Sequence, residues 1–153
     1  MDMRYVPIMD AGIAARPQIS ENYTAYREGD AKGVFMKING ENYIGQVWPN
    51  DAAFTDFFNE TAVEWWKDNL SSFHKMIPFD GIWLDMNEVS NFCNGACYKR
   101  QIPAKSVKSK LRYVPTGRDL ETQCMAVDAQ HNNGNISLDT HSIYGIEEVK
   151  TTH

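Results

Sequence analysis

The sequence predicts an α/β fold built on a strand–helix–strand unit, and three observations carry that prediction. Two apolar runs of strand length, Tyr5–Asp10 and Phe79–Asp85, each end in a carboxylate. A long amphipathic stretch, Asn50–Met76, lies between them. A second amphipathic stretch, Asp139–His153, follows. The order strand, helix, strand requires parallel strands and a right-handed crossover, so Asp10 and Asp85 are expected on one rim of the sheet, at the C-terminal ends of their strands.

Each element follows from its own residues. In Tyr5–Asp10 alternation puts Val6, Ile8 and Asp10 on one face, while Pro7 removes a ladder donor and disfavours a central position. Ala11-Gly12 breaks the run. Residues 14–50 read as irregular, with turns at Gly29-Asp30 and Asn39-Gly40. Within them Val34–Ile38 and Tyr43–Trp48 are expected to form a small β-hairpin excursion that Trp48-Pro49 ends. The helix is expected from Asn50, as N-cap, to Met76. Phe54, Phe58, Ala62, Trp65, Leu70 and Phe73 make its apolar face, Phe57 and Trp66 widen it, and Pro78 stops it. That aromatic stripe reads as core, and His74 near the helix end carries no chemistry.

In Phe79–Glu88, Trp83 and Asp85 share one face while Ile82 and Leu84 take the other. A carboxylate beside a tryptophan at the end of a buried strand costs free energy unless it is paired or used. Capping the next element is one use, chemistry another. In βα-barrels the rim that holds Asp10 and Asp85 carries the active site. Residues 89–137 read as a second loop excursion, with a run of seven Lys or Arg and no acid between Lys99 and Arg118. Tyr98, Ile102, Tyr113 and Val114 give it little to bury, so it is expected to be the least ordered part. The closing helix is capped by Asp139 or Thr140, and Ile143, Ile146 and Val149 recur along it every third residue.

Composition sets the class. With 153 residues, 42% hydrophobic and 23% charged, the chain is long and apolar enough for one globular domain with a core. A net charge of -5 argues against a general nucleic-acid binder. No apolar run reaches the length of a membrane span, and Met1-Asp2-Met3-Arg4 leads into the first strand without a leader pattern. Acceptor triplets for N-glycosylation begin at Asn22, Asn59, Asn69 and Asn135, which points to a secretory compartment. The three cysteines allow at most one internal disulfide. Cys93 and Cys97 can close a small loop, or the thiols stay buried, while zinc held with His131 has the wrong spacing. Asp80, Asp85, Asn87 and Glu88 do not follow a calcium-loop pattern. No cofactor or metal is expected.

Trp83-Leu84-Asp85-Met86-Asn87-Glu88 resembles the nucleophile signature of glycoside hydrolase family 31, the α-glucosidase family. Val6–Asp10 looks like the barrel strand that precedes it in that family. Val47-Trp48-Pro49, the stretch from Phe57-Phe58 to Trp65-Trp66, and His141–Gly145 resemble further family segments. The resemblance implies a partial (β/α)8 TIM barrel of about two strands and two helices with two loop excursions, since a full barrel takes about 250 residues. It implies a retaining α-glucosidase acting on an α-glucoside or maltooligosaccharide. Asp85 would be its nucleophile and Glu88 a support, with Asp10, Ile8, Trp48, Trp83 and Met86 shaping the glucose subsite. The Cys93–Cys97 pattern is closest to that of eukaryotic members. Retention needs a second carboxyl, the acid/base, roughly 5 Å from the nucleophile. In the family this comes from a later strand near a Gly-Asp-Asn segment, and none follows Asp85 here. The chain is therefore expected to be an internal barrel fragment, inactive alone. The alternative is a non-catalytic truncated product with at most weak sugar binding.

Overall fold

The computed structural model describes residues 3–17, 21–114 and 119–153. In chain order its elements are β1 (Ile8–Asp10), β2 (Gly12–Ala14), α1 (Thr24–Lys32), β3 (Lys37–Ile38), β4 (Glu41–Asn42), β5 (Ile44–Val47), β6 (Asn50–Phe54), α2 (Glu60–Met76), β7 (Trp83–Asp85), α3 (Ser137–Thr140) and α4 (Tyr144–Thr152).

The expected parallel pair is present. β1 and β7 run side by side with Ile8 opposite Trp83, Met9 opposite Leu84 and Asp10 opposite Asp85. Pro7 has no N–H to give, yet its carbonyl accepts from Trp83 N at 2.9 Å. The pair is clasped at its start, where Arg4 reaches Asp80 Oδ1 at 2.6 Å and Tyr5 N donates to Asp80 Oδ2 at 2.8 Å.

The first excursion is larger than a hairpin. β3 and β4 do form a tight hairpin around Asn39 (φ 52) and Gly40 (φ 82), residue types that tolerate the left-handed conformation such a turn needs. However, only Tyr43 of Tyr43–Trp48 bonds back to Val34–Ile38, its N–H donating to Met36 O at 2.8 Å. β5 turns through Trp48-Pro49 and pairs with β6, which pairs in turn with β2, giving an antiparallel sheet in the order β2-β6-β5. Residues 50–54 are thus strand, and the expected helix start at Asn50 is wrong. Asn50 sits at φ 67 just past the hairpin turn, and Ala52, Ala53 and Phe54 are buried in the sheet. The N-cap of α2 is Asn59, whose Oδ1 accepts from Thr61 N at 3.1 Å. Phe54 and Phe58 imitate a helical repeat across this boundary, which explains the misreading. α1 was not legible either, because only Ala25 and Gly29 are buried on it.

Trp65 of α2 is fully buried, edge-on to Phe35, and Phe57 and Trp66 pack in the same core. The second excursion leaves Ile102 and Tyr113 exposed, as expected, but residues near its two ends join that core, which was not expected. Val89, Met125, Ala126 and Ala129 are buried, and the Tyr43 hydroxyl donates to Gly95 O at 2.8 Å and accepts from Ala126 N at 3.2 Å. Its basic run is partly neutralised from within, as Lys108 binds Glu121 at 2.5 Å and Asp119 at 3.0 Å.

The closing segment starts earlier than expected, at Ser137, and bends through a 3-10 turn at His141–Ile143 into α4. Its Ile143, Ile146 and Val149 stripe is exposed. The buried face is Tyr144, Glu148 and Thr151. Gly145 explains the rotation: a Cβ there would lie 2.8 Å from Asn87 O, so the helix backbone lies directly against the loop after β7.

Candidate active site

Strand geometry builds the site. Residues two apart on neighbouring parallel strands share a face, so Ile8, Trp83, Asp10 and Asp85 line the same side of the β1–β7 pair. Ile8 and Trp83 are half open to solvent, at 53% and 55% exposure, and the two carboxylates follow at the strand ends. Apolar surface beside carboxylates suits a polyol with hydroxyls on its rim and C–H groups on its faces.

The turn after β7 orients Asp85. Met86 N donates to Asp85 Oδ1 at 2.9 Å, and Met86 takes φ 58, which swings the chain back so that Ser90 N reaches Met86 O at 3.1 Å. Ser90 Oγ also donates to Glu88 Oε1. Met86 packs against the hydrophobic core rather than standing free. Asp10 Oδ1 is buried with no hydrogen-bond partner among the described residues. Burial first, then the charges of Asp85 and Glu88, push the Asp10 carboxyl above its usual range. The structure thus brings together Asp10, Asp85, Glu88, Ile8, Trp83 and Met86.

Trp48 stands on the β5–β6 turn, off both parallel strands, and is 74% exposed. Its ring meets Phe92 edge-to-face at 5.3 Å. Asn91 couples this hairpin to the loop after β7. It is fully buried, accepts from Gln46 N at 2.8 Å and donates to Gly95 O at 2.7 Å and to the Tyr43 hydroxyl at 3.0 Å. Cys93 and Cys97 are joined as a disulfide in the same loop, with Cα atoms 5.4 Å apart, and Cys124 is free.

Three residues that sequence reasoning passed over surround the strand ends. Glu148 enters from α4, and its i, i+4, i+7 spacing with Tyr144 and Thr151 was a usable signal that the more apolar Ile143 stripe masked. Burial and then the Asp10 charge push its carboxyl up, against the pull of the Asn87 amide, to about 8. No contact from that amide to either oxygen meets hydrogen-bond geometry. His141 lies 3.7 Å by Nε2 from Cys124 Sγ; burial lowers the histidine and raises the thiol, which favours a neutral pair. A cleft of about 620 Å³ opens here between Asn87, Glu88, His141, Ile146 and Val149.

His131 is committed to Asp56 Oδ1 at 2.6 Å and to Thr140 Oγ1 at 2.7 Å, deep in the core, while Asp80 is held by Arg4. Among the described residues no group of three His, Cys, Asp or Glu side chains is spaced to hold a metal. No helix among them is long and apolar enough to cross a membrane. Of the acceptor asparagines, Asn22 and Asn135 are exposed, whereas Asn59 Nδ2 donates to Gly33 O at 3.4 Å and Asn69 Nδ2 to Trp65 O at 2.8 Å.

Comparison with known proteins gives the family. Residues 1–153 match the description "Glycosyl hydrolases family 31 TIM-barrel domain". An Arabidopsis thaliana protein named alpha-xylosidase 1 is 34% identical over 99% of this chain, and a Bos taurus lysosomal alpha-glucosidase is 36% identical over 98%. A solved glucosidase II alpha subunit in its DNJ-bound form superposes with a TM-score of 0.71 at 25% identity, over 97% of this chain. The chain spans less than a fifth of these proteins' lengths: 19%, 16% and 13%. A match along every residue, with relatives above 30% identity, makes this chain a member of glycosyl hydrolase family 31, lying within that family's TIM-barrel domain.

Proposed function

We propose that the intact enzyme carrying this segment is a retaining α-glucosidase that releases terminal α-linked glucose from oligosaccharides, with Asp85 as its nucleophile. One observation carries the reading: Asp10 and Asp85 stand in register at the C-terminal ends of neighbouring parallel strands, beside half-exposed Ile8 and Trp83.

Asp85 attacks the anomeric carbon, forming a carboxylate ester as the glycosidic C–O bond breaks. An acid from outside this chain gives its proton to the leaving oxygen. As a base it then takes a proton from the water that attacks the same carbon and frees Asp85. The Met86 N–H fixes the direction of the attacking carboxylate. Glu88, held by Ser90, supports it from three residues on. Asp10 accepts from sugar hydroxyls, and Ile8, Trp48, Trp83 and Met86 shape the surface for the sugar's C–H faces. The names of the relatives, an α-xylosidase and α-glucosidases, support an α-glycoside substrate. The disulfide, the exposed Asn22 and Asn135 and a lysosomal relative support a secretory compartment.

The test is trapping the intact enzyme with an activated fluoroglucoside that forms a slow covalent intermediate. The label is expected on Asp85; a label on any other side chain overturns the assignment. The 153-residue chain alone is expected to leave p-nitrophenyl α-glucoside intact, because its acid/base lies outside, and turnover by it would refute that division.

A further inference from the structure

Four asparagines stand in acceptor triplets for N-glycosylation, and the fold treats them differently. Asn69-Leu70-Ser71 lies wholly inside α2, where Asn69 is half-buried and its Nδ2 donates to Trp65 O at 2.8 Å. Asn59 caps the same helix, its Oδ1 accepting from Thr61 N at 3.1 Å and its Nδ2 donating to Gly33 O at 3.4 Å. A bulky glycan on either nitrogen would compete with bonds that hold α2 and its cap. Asn22 is exposed, but it borders a groove of about 810 Å³ between α1, α2 and β1.

Asn135 stands apart from these. It leaves a tight turn in which Gly134 N donates to His131 O at 3.0 Å, and Gly134 takes φ 87 to send the chain back. Gln130 and Ile136 bridge across the base of the turn. The mount is firm: Asn132 N donates to Asp56 Oδ2 at 2.7 Å, and His131 is locked between Asp56 and Thr140. Among the described residues Asn135 joins this network through its backbone alone, its N–H donating to Asn133 Oδ1 at 3.0 Å and its carbonyl accepting from His131 N at 2.9 Å. Its side chain is exposed, as are Asn132, Asn133 and Gly134, and a Cβ built on Gly134 would meet no atom within 4 Å. Ile136 is extended, at φ -113 and ψ 158, so the triplet runs straight off the turn toward α3.

We infer that Asn135 carries an N-linked glycan and that Asn59 and Asn69 do not. This rests on the secretory reading given above, which the Cys93–Cys97 disulfide supports independently of the triplets. The co-reactant is a lipid-linked oligosaccharide pyrophosphate. Asn135 Nδ2 bonds to the anomeric carbon of its first sugar, the carbon–oxygen bond to pyrophosphate breaks, the lipid pyrophosphate leaves, and one amide proton passes to a base of the transferase. Ser137, whose hydroxyl completes the triplet, is buried at the start of α3. Transfer therefore precedes the docking of α3, and the finished turn holds the glycan in open solvent without displacing a native side-chain contact.

The test uses the intact protein carrying this segment, made in a eukaryotic host that keeps its glycans oligomannose. An endoglycosidase then leaves a single N-acetylglucosamine on each occupied asparagine, and mass spectrometry of a tryptic digest reads that mark. Asn135 is the sole acceptor in tryptic peptide 119–150, Asn59 in 38–67 and Asn69 in 68–75. Peptide 119–150 is expected to carry the mark in most copies, and Asn135→Gln is expected to lose it, with peptides 38–67 and 68–75 bare in both proteins. A bare 119–150 peptide from protein marked elsewhere overturns the proposal and leaves the secretory reading standing. A mark on Asn59 or Asn69 overturns the distinction drawn from the fold. A parent recovered from the cytosol with no mark on any peptide defeats the secretory reading, and the proposal falls with it.

Discussion

Replacing Asn91 by leucine tests how the Trp48 hairpin is tied to the loop after β7. Leucine nearly preserves the volume of the buried side chain and removes all of its polar contacts. Tyr43 still donates to Gly95 O and still accepts from Ala126 N, so those groups keep partners. Gln46 N and Cys93 N do not, because both donate to Asn91 Oδ1, at 2.8 and 3.3 Å. Orphaning the Gln46 N–H costs about 2 kcal/mol, and the lost bonds to Cys93 N, Gly95 O and the Tyr43 hydroxyl add about 1 kcal/mol each, for a total of about 5 kcal/mol. Urea unfolding of parent and variant at neutral pH reads this as a fall in midpoint at constant slope. A loss below about 1 kcal/mol would refute the claim that this one amide joins the two segments. So would a variant whose slope, rather than midpoint, had changed.

Three further outcomes follow from the packing. Glu148 should make the chain less stable as pH rises. Its folded-state midpoint of about 8 lies above the ordinary glutamate value of 4.5, so the native state holds the proton more tightly and the advantage is lost between those two values. That displacement, at about 1.4 kcal/mol per unit, amounts to about 5 kcal/mol; Glu148→Gln should flatten the fall in a pH series of melts, and an unchanged slope would contradict it. His141, lowered by burial, works in the opposite sense below its usual midpoint and is common to parent and variant. Gly145→Ala should lower stability by about 1–2 kcal/mol, because the clash with the Asn87 carbonyl outweighs the helix-propensity gain; a raised Tm would show that α4 can shift freely. Trp65→Ala should cost about 3–5 kcal/mol by opening the core beside Phe35, measured by the same urea series.

The parallel pair was legible because its signals are local and redundant. Each strand is a short apolar run closed by an acid, and a long helix between two strands admits few topologies. The Trp83–Glu88 segment pointed to its family through resemblance to that family's signature. What failed were boundaries and faces. Phe54 lies in a strand but falls in step with Phe58 and Ala62, so the expected N-cap, Asn50, lies nine residues before the observed one, Asn59. On α4, period alone cannot choose between two faces, and hydrophobicity chose the wrong one. The contact that decides, Gly145 against Asn87, joins residues far apart in sequence. That Val89, Met125, Ala126 and Ala129, near the two ends of the 89–137 excursion, reach the core was hidden for a related reason: their anchors are Asn91, Tyr43 and Glu121, polar side chains that look like surface until their partners are known.

The rotation of α4 has a practical cost. By giving its inward face to Tyr144, Glu148 and Thr151, the helix leaves two isoleucines and a valine as a greasy seam along the outside. Such a seam is a place where copies of the chain can adhere as concentration rises, and the open flanks of the short β1–β7 ribbon offer a second. Purified material should therefore behave best dilute, and charged replacements at Ile146 and Val149 are the changes to make before any attempt to crystallise it.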